Sequence, residues 1–306
     1  MPCKICKEKP VIKLTNSNIW LCKNCFIRYF EKKVLRTIRK YNLLDKGDKV
    51  LVCVSGGKDS TALLYLLNKL RLNIKIEAIV IDPLIGDYTR KNIENLKEFC
   101  KENQIKLHHI GFRDEFGYSL CYIRGLLKKK GLDYNSCTIC GILRRYLINK
   151  YARKLKVNKV ATGHNLDDEA QSFLMNVIKN NIEVTARLGP KTGVVKSEYF
   201  IPRVKPLYFL TEEETTKYSK LRKFKVTYEK CPCSAMVFRR DIERFLNNFE
   251  KKYPGSKHGI VNSFLEILPL LKERYGKGEI ELCKKCKEPC SLEVCKTCEI
   301  LGKMRK

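Results

Sequence analysis

Residues 50–64 read VLVCVSGGKDSTALL. The apolar, β-branched run from Val50 to Val54 has the length and character of a strand buried on both faces. It breaks at SGGKDS, and an apolar helical pattern resumes at Ala62. A strand that turns into a helix through Ser55, Gly56, Gly57, Lys58, Asp59 and Ser60 sets backbone N–H groups and a helix N-terminus at the carboxyl end of a sheet. Anions bind at such places. The two glycines let the chain turn toward an anion with no Cβ in the way. Lys58 adds a point charge, and Asp59 is expected to cap the helix. The spacing differs from the G-x-x-x-x-G-K-[ST] loop of γ-phosphoryl transfer. A plain strand–turn–helix is the simpler alternative. The coincidence of glycines, lysine and cap at one strand end argues against it.

Working outward, strands are predicted at Lys49–Val54, Lys75–Ile81, Ile105–Ile110 and Lys159–Thr162. Helices are predicted near Phe26–Tyr41, Ser60–Leu70, Thr89–Asn103, Phe116–Lys130, Ile139–Lys156, Asp168–Lys179, Thr211–Leu221, Phe238–Lys252 and Gly259–Glu273. The alternation predicts an α/β fold with a doubly wound parallel sheet covered on both faces. Residues 180–209, rich in Gly, Pro and Lys, read as a flexible or strand-bearing connection. Four segments are expected: a cysteine module at 1–26, a linking helix over 27–48, the α/β domain at 49–273 and a second cysteine module at 274–306.

The chain of 306 residues carries 62 Lys plus Arg against 33 Asp plus Glu, a net charge of +29. Such a charge attracts polyanions, nucleic acid first among them. No run of about 18 apolar residues suggests a membrane span, and MPCKICKEKP has no apolar signal core, so a cytoplasmic location is expected. Sixteen cysteines in a reducing compartment favour metal binding or catalysis over disulfides. Cys3, Cys6, Cys22 and Cys25 form C-x2-C-x15-C-x2-C, and Cys283, Cys286, Cys295 and Cys298 form C-x2-C-x8-C-x2-C. Each pair of knuckles supplies four thiolates to one tetrahedral ion, a closed structural zinc arrangement. Two Zn²⁺ are therefore expected, with rubredoxin-like iron as the lesser alternative. Cys290 is left over and reads as a spare thiol.

Two further cysteine groups lie inside the α/β region: Cys137 and Cys140 in NSCTICGILRRY, and Cys231 and Cys233 in EKCPCS. Cys137 and Cys140 open a helix, whose dipole favours thiolates. A redox disulfide, a third metal site, or a [4Fe–4S] cluster with one iron left for external sulfur all fit these residues. After the fourth strand comes ATGHNLDDEAQ, residues 161–171, with acids at a helix N-terminus.

SGGKDS resembles the PP-loop of the ATP pyrophosphatase superfamily, and ATGHNLDDEAQ resembles the GHxxDDxxE-type segment of its tRNA-thiolating branch. With both terminal cysteine modules and SCTICG in order, nearly the whole chain resembles the tRNA 2-thiouridine synthetases of the TtuA/Ncs6 type. The resemblance implies that ATP is bound by Val54, Ser55, Gly56, Gly57, Lys58, Asp59 and Ser60. It implies that Gly163 and Asp168 approach the nucleotide or its Mg²⁺, supported by Asp167, and that Arg144 lies near the phosphates. It also implies a [4Fe–4S] cluster on Cys137, Cys140 and Cys231, with Cys233 the rival third ligand, and a catalytic set of Cys137, Cys140, Cys231, Asp168 and Arg144. His164 is read as structural. The segment IDPLIGDYTR, residues 81–90, departs from the DEGIxGYR-like sequence of relatives, which puts the roles of Asp82 and Tyr88 in question.

The reaction so implied adenylates a uridine C2 oxygen with loss of pyrophosphate, after which sulfur displaces AMP. The partners implied are tRNA, a sulfur donor (sulfide or a ubiquitin-like thiocarboxylate carrier) and a second copy of the chain in a homodimer. Lys128–Lys130, Arg144, Arg145, Arg239 and Arg240 are expected to meet tRNA phosphates. Amidation or lysidine formation by a related enzyme is a competing reading, as is a zinc-finger RNA-binding protein without catalysis.

Overall fold

The computed structural model describes residues 1–70, 72–192, 199–234, 238–276 and 281–305. Parts of the 180–209 connection and of the 274–306 module therefore lie outside the described residues. An N-terminal hairpin, β1 (Ile12–Leu14) and β2 (Ile19–Leu21), leads into α1 (Lys23–Lys40). The α/β unit follows as β3 (Lys49–Val54), α2 (Lys58–Lys69), β4 (Lys75–Asp82), α3 (Gly86–Glu102), β5 (Lys106–Gly111), α4 (Phe112–Phe116), α5 (Leu120–Lys129), α6 (Ser136–Lys154), β6 (Lys159–Thr162), α7 (Leu166–Ile178) and α8 (Ile182–Thr185). Then come β7 (Lys191–Thr192), β8 (Arg203–Val204), α9 (Glu212–Leu221), α10 (Phe238–Lys252), α11 (Ser256–Tyr275), the hairpin β9 (Glu281–Leu282) and β10 (Pro289–Cys290), and α12 (Lys296–Arg305).

The main sheet runs β5-β4-β3-β6-β8-β7, with every pair parallel except the edge strand β7. The chain winds outward from β3 through β4 to β5, then returns to the other side of β3 with β6. The order reverses between β3 and β6, and the crevice at such a switch point is where open α/β sheets bind ligands. Cys53 pairs with Thr162 in register, so the loops after β3 and β6 leave the sheet side by side.

Alternate residues of the strands feed two cores. Val50, Val52, Val54, Ala78 and Val80 pack with α1, α2 and α9 on one face, together with Ile12, Leu14 and Leu21 of the first hairpin. Leu51, Ile79 and Ile81 pack on the other with Ile139, Leu143 and Leu147 of α6 and Ile300 and Met304 of α12. The two cysteine modules thus dock on opposite faces of one sheet. On the first face Phe30 stacks on Tyr218 at 4.1 Å between centroids, which fixes α1 against α9. On the second, Glu288 accepts from Asn149 at 2.9 Å and from Arg153, and Lys130 donates to the Met304 carbonyl at 3.0 Å. Lys130, expected at tRNA phosphates, is engaged here in holding α12.

The four predicted strands are present, with ends within a residue of expectation. Helix starts moved more. α1 begins at Lys23, which brings Cys25 into its first turn, and the predicted 116–130 helix starts only at Leu120, after a separate short α4 that ends at Phe116 before Gly117, whose φ is +83°. Asp59 does not cap α2. Gly57 holds the cap position without a side-chain bond, and the helix starts at Lys58. The Asp59 carboxylate instead faces the loop after β6.

Candidate active site

The strand-to-helix turn after β3 is shaped by two glycines. Gly56 has φ +78°, and a Cβ there would come 2.6 Å from the Asn92 carbonyl oxygen. Gly163, after β6, is needed for a different reason: its Cβ would stand 2.9 Å from the Ser60 nitrogen, inside the backbone of the first turn of α2. The Ser60 hydroxyl accepts from the Ser55 N–H at 3.1 Å and closes the turn.

Lys58 lies between the Asp59 carboxylate at 2.8 Å and that of Glu212 at 3.1 Å. Burial disfavours its charge, but the two carboxylates outweigh it and raise its pKa. Burial pushes Asp59 up, with Lys58 opposing and Asp168 adding to the rise. Asn165 caps α7 in a reciprocal box with Asp168: Asp168 N–H donates to Asn165 Oδ1 at 3.1 Å, and Asn165 N–H to Asp168 Oδ2 at 3.2 Å. The same Asn165 side chain donates to Asp59 at 3.2 Å, tying the two loops together. Asp168 also accepts from Arg239 at 2.8 Å. Asp167 is buried, accepts the Glu212 N–H at 2.8 Å and pairs with buried Lys257. It therefore holds the start of α9, which carries Glu212 to Lys58.

Thr162 Oγ1 lies 2.9 Å from His164 Nδ1. Desolvation, opposed by Asp168 and aided by Lys205, Arg239 and Arg203, lowers the His164 pKa to about 4.

α6 begins at Ser136 behind an Asn135 cap, whose side chain accepts from Thr138 N–H at 2.8 Å. Cys137 and Cys140 sit in its first turns, yet both thiols are raised rather than lowered. Desolvation is the first cause at each, and neighbouring thiols add to it, Cys231 at both and Cys137 at Cys140. Cys233 is pushed up to about 11 by burial, then by Cys231 and Cys121. Arg144 donates to the Ile81 carbonyl at 3.1 Å, so it reaches under the end of β4, where Asp82 accepts from Leu84 N–H at 2.8 Å. Tyr88 is raised by burial and then by Cys231.

An open cleft of about 560 Å³ joins these parts. Asp59, Asn165, Asp168 and Glu212 line it together with Cys137, Gly141, Arg145 and Cys231. Cys140, Arg144 and Gly163 do not line it among the described residues. Glu212 and Asn165 were missed by sequence reasoning. Asn165 carries a signal, the N-x-x-D box, whereas Glu212 reaches the site only through tertiary packing.

The terminal quartets hold their ligand atoms within 4.8 Å of one another. Cys6 and Cys22 sulfurs lie 3.3 Å apart, Cys25 and Cys6 3.6 Å, and Cys286 and Cys295 3.6 Å. Tetrahedral thiolates about 2.3 Å from zinc stand about 3.8 Å apart, so both quartets fit one ion each. The Cys295 and Cys298 N–H groups donate to Cys283 and Cys295 sulfurs at 3.2 and 3.4 Å, as thiolate ligands require. Cys290 stands outside the quartet and donates to the Leu292 carbonyl at 2.7 Å. Among the described residues, Cys137, Cys140 and Cys231 do not form a group this tight.

Comparison with known proteins agrees with this arrangement. The PP-loop domain profile matches residues 28–246, and that of the 2-thiouridine synthetase TtuA N-terminal LIM domain matches residues 3–27. The chain is 37% identical over 302 residues to the tRNA-5-methyluridine(54) 2-sulfurtransferase of Pyrococcus horikoshii, covering 99% of this chain and 94% of the relative. It is 30% identical over 318 residues to the tRNA 2-thiolation protein NcsA of Haloferax volcanii, covering 98% of each. The solved U34-tRNA thiolase NcsA from Methanococcus maripaludis, with its [4Fe-4S] cluster, superposes with a TM-score of 0.83 at 32% identity, over 98% of this chain and 95% of that one. With the switch-point cleft, the paired glycine loops and this end-to-end similarity together, the chain belongs to the PP-loop family, in its branch of TtuA- and NcsA-type tRNA 2-thiolation proteins.

Proposed function

We propose that this chain is an ATP-dependent tRNA uridine 2-sulfurtransferase. The observation that carries the reading is the one cleft that Asp59 and Asp168 of the nucleotide loops line together with Cys137 and Cys231. ATP lies over the loop from Val54 to Ser60, with the triphosphate at the N-terminus of α2 and near Lys58. Phosphate entering there competes with Asp59 and Glu212 for Lys58, so nucleotide binding loosens that pair. Asp168, with Asp59 beside it, would hold Mg²⁺, and Lys58 balances charge as pyrophosphate departs, with Arg144 joining it on leaving the Ile81 carbonyl. The uridine O2 takes the α-phosphorus, which makes C2 an electrophile with AMP as its leaving group. The base must leave its stack to reach this depth.

Cys137, Cys140 and Cys231 are the residues that would hold the cluster, and Cys231 acts on both of the other thiols. When bound, the [4Fe–4S] group supplies an iron that presents sulfur to C2. The two terminal quartets each hold Zn²⁺ and act as folding devices. The surplus positive charge, including Arg145, Arg239 and Arg240 at the cleft, draws in tRNA phosphates. Relatives' names carry uridines at two different tRNA positions, and mapping the modified nucleoside decides between them. The products of ATP test the activation step. Cleavage in the presence of tRNA gives AMP and pyrophosphate, whereas ADP and orthophosphate would refute it.

A further inference from the structure

The thiols of Cys137 and Cys140, at the N-terminus of α6, have Cys231 as a common neighbour. The sequence CPCS puts Cys233 two residues beyond Cys231, on the 3-10 turn Pro232–Ser234 that packs against α6. The Cys137 thiol lies 3.7 Å from the Cys233 carbonyl oxygen, so this turn sits directly on the CxxC segment. Cys233 has the Cys231 thiol as a hydrogen-bonding neighbour, and Cys121 of α5 and Cys137 also act on it. A thiol held among cluster ligands by a short turn is within reach of the same metal group. A [4Fe–4S] cluster ordinarily takes four thiolates, and an iron lacking one remains open to whatever anion is present.

We infer that Cys233 is an exchangeable fourth ligand, which caps the iron left open by Cys137, Cys140 and Cys231 until an anionic sulfur donor displaces it. The inference rests on the cluster reading given above and specifies how that site is guarded. The exchange is a ligand substitution with no electron transfer. The iron–sulfur bond to Cys233 breaks as the bond to the donor sulfur forms. When the donor is hydrosulfide, its proton passes to the departing Cys233 thiolate. The cap keeps stray anions off the iron, and its position on a short turn rather than on α6 lets it leave without disturbing Cys137 and Cys140.

The test uses the full chain, reconstituted anaerobically, with iron and sulfide content measured and the reduced cluster followed by electron paramagnetic resonance. Cyanide is the probe. Wild-type protein is expected to keep its signal unchanged with stoichiometric cyanide, and Cys233→Ser to shift. Cys121→Ser should behave as wild type, and Cys231→Ser should lose iron. Equal cyanide shifts in wild type and Cys233→Ser overturn the inference while leaving the cluster in place. Loss of iron in Cys233→Ser with retention in Cys231→Ser overturns it too, because the third ligand is then Cys233. Should both variants fail to load, Mössbauer spectra of the wild type decide: one differentiated iron contradicts the cap, and its absence supports it. A wild-type chain that takes up no cluster at all overturns the underlying reading instead.

Discussion

Gly163 shows how much a single hydrogen atom decides. The loops after β3 and β6 approach so closely that an added Cβ would meet the Ser60 nitrogen at 2.9 Å and the Asp59 carbonyl carbon at 3.0 Å. Backbone on both sides has no flexible end to give. Gly163→Ala should therefore cost about 1–3 kcal/mol as the loops are pushed apart and weaken ATP binding by roughly tenfold or more, since 1.4 kcal/mol is tenfold. Calorimetric titration with ATP beside a urea melt checks both. Unchanged ATP affinity would mean that the two loops do not act on one ligand. The motif picked out Gly163 for the nucleotide, but its packing on α2 was not legible, because that contact is tertiary. The capping box of Asn165 is a local signal, but the reach of Asn165 to Asp59 and of Glu212 to Lys58 spans 106 and 154 residues and leaves none.

Among the elements, α1, α2 and α9 are tied by Glu31. Its carboxylate accepts from Lys69 at 2.7 Å, Arg222 at 2.6 Å and Tyr218 at 3.0 Å. Burial raises its pKa, but these donors outweigh it and the net shift is downward. A carboxyl whose folded pKa lies below its unfolded value adds stability above the unfolded pKa, and loses it as pH falls through the folded one. Glu31→Gln should thus destabilise by about 1–3 kcal/mol near neutral pH. The difference should vanish once the wild-type carboxyl is protonated. Urea midpoints of both proteins across the acid range measure this, and a difference constant with pH would contradict it. The strands were readable from their apolar runs, and α1 from the spacing of Phe26, Phe30, Val34 and Ile38. The hairpins β1–β2 and β9–β10 were not, since strands of two or three residues carry no periodicity and are set by the cysteines around them.

Over the whole molecule, the two cysteine modules clasp opposite faces of one sheet. Ile12, Leu14 and Leu21 join the core on one side, and Ile300 and Met304 join that on the other. Their sulfurs were found by spacing alone, but the sequence held no sign of which face each module covers. Chelation should accordingly do more than unravel two tails. Metal removal is expected to lower the melting temperature of the entire α/β unit and to raise hydrogen exchange in α1 and α6 together. Exchange confined to residues near the cysteines would show that the modules are independent. The charge of +29 belongs to this scale as well, since a field of that size attracts polyanions to the molecule as a whole. Nucleoside mass spectrometry of tRNA incubated anaerobically with the cluster-loaded protein, ATP and sulfide tests the central claim most directly. The account predicts 2-thiouridine at a defined tRNA position, formed only with ATP and lost in Cys137→Ala. Unmodified tRNA in the presence of ATP cleavage, or full thiolation by Cys137→Ala, would contradict it.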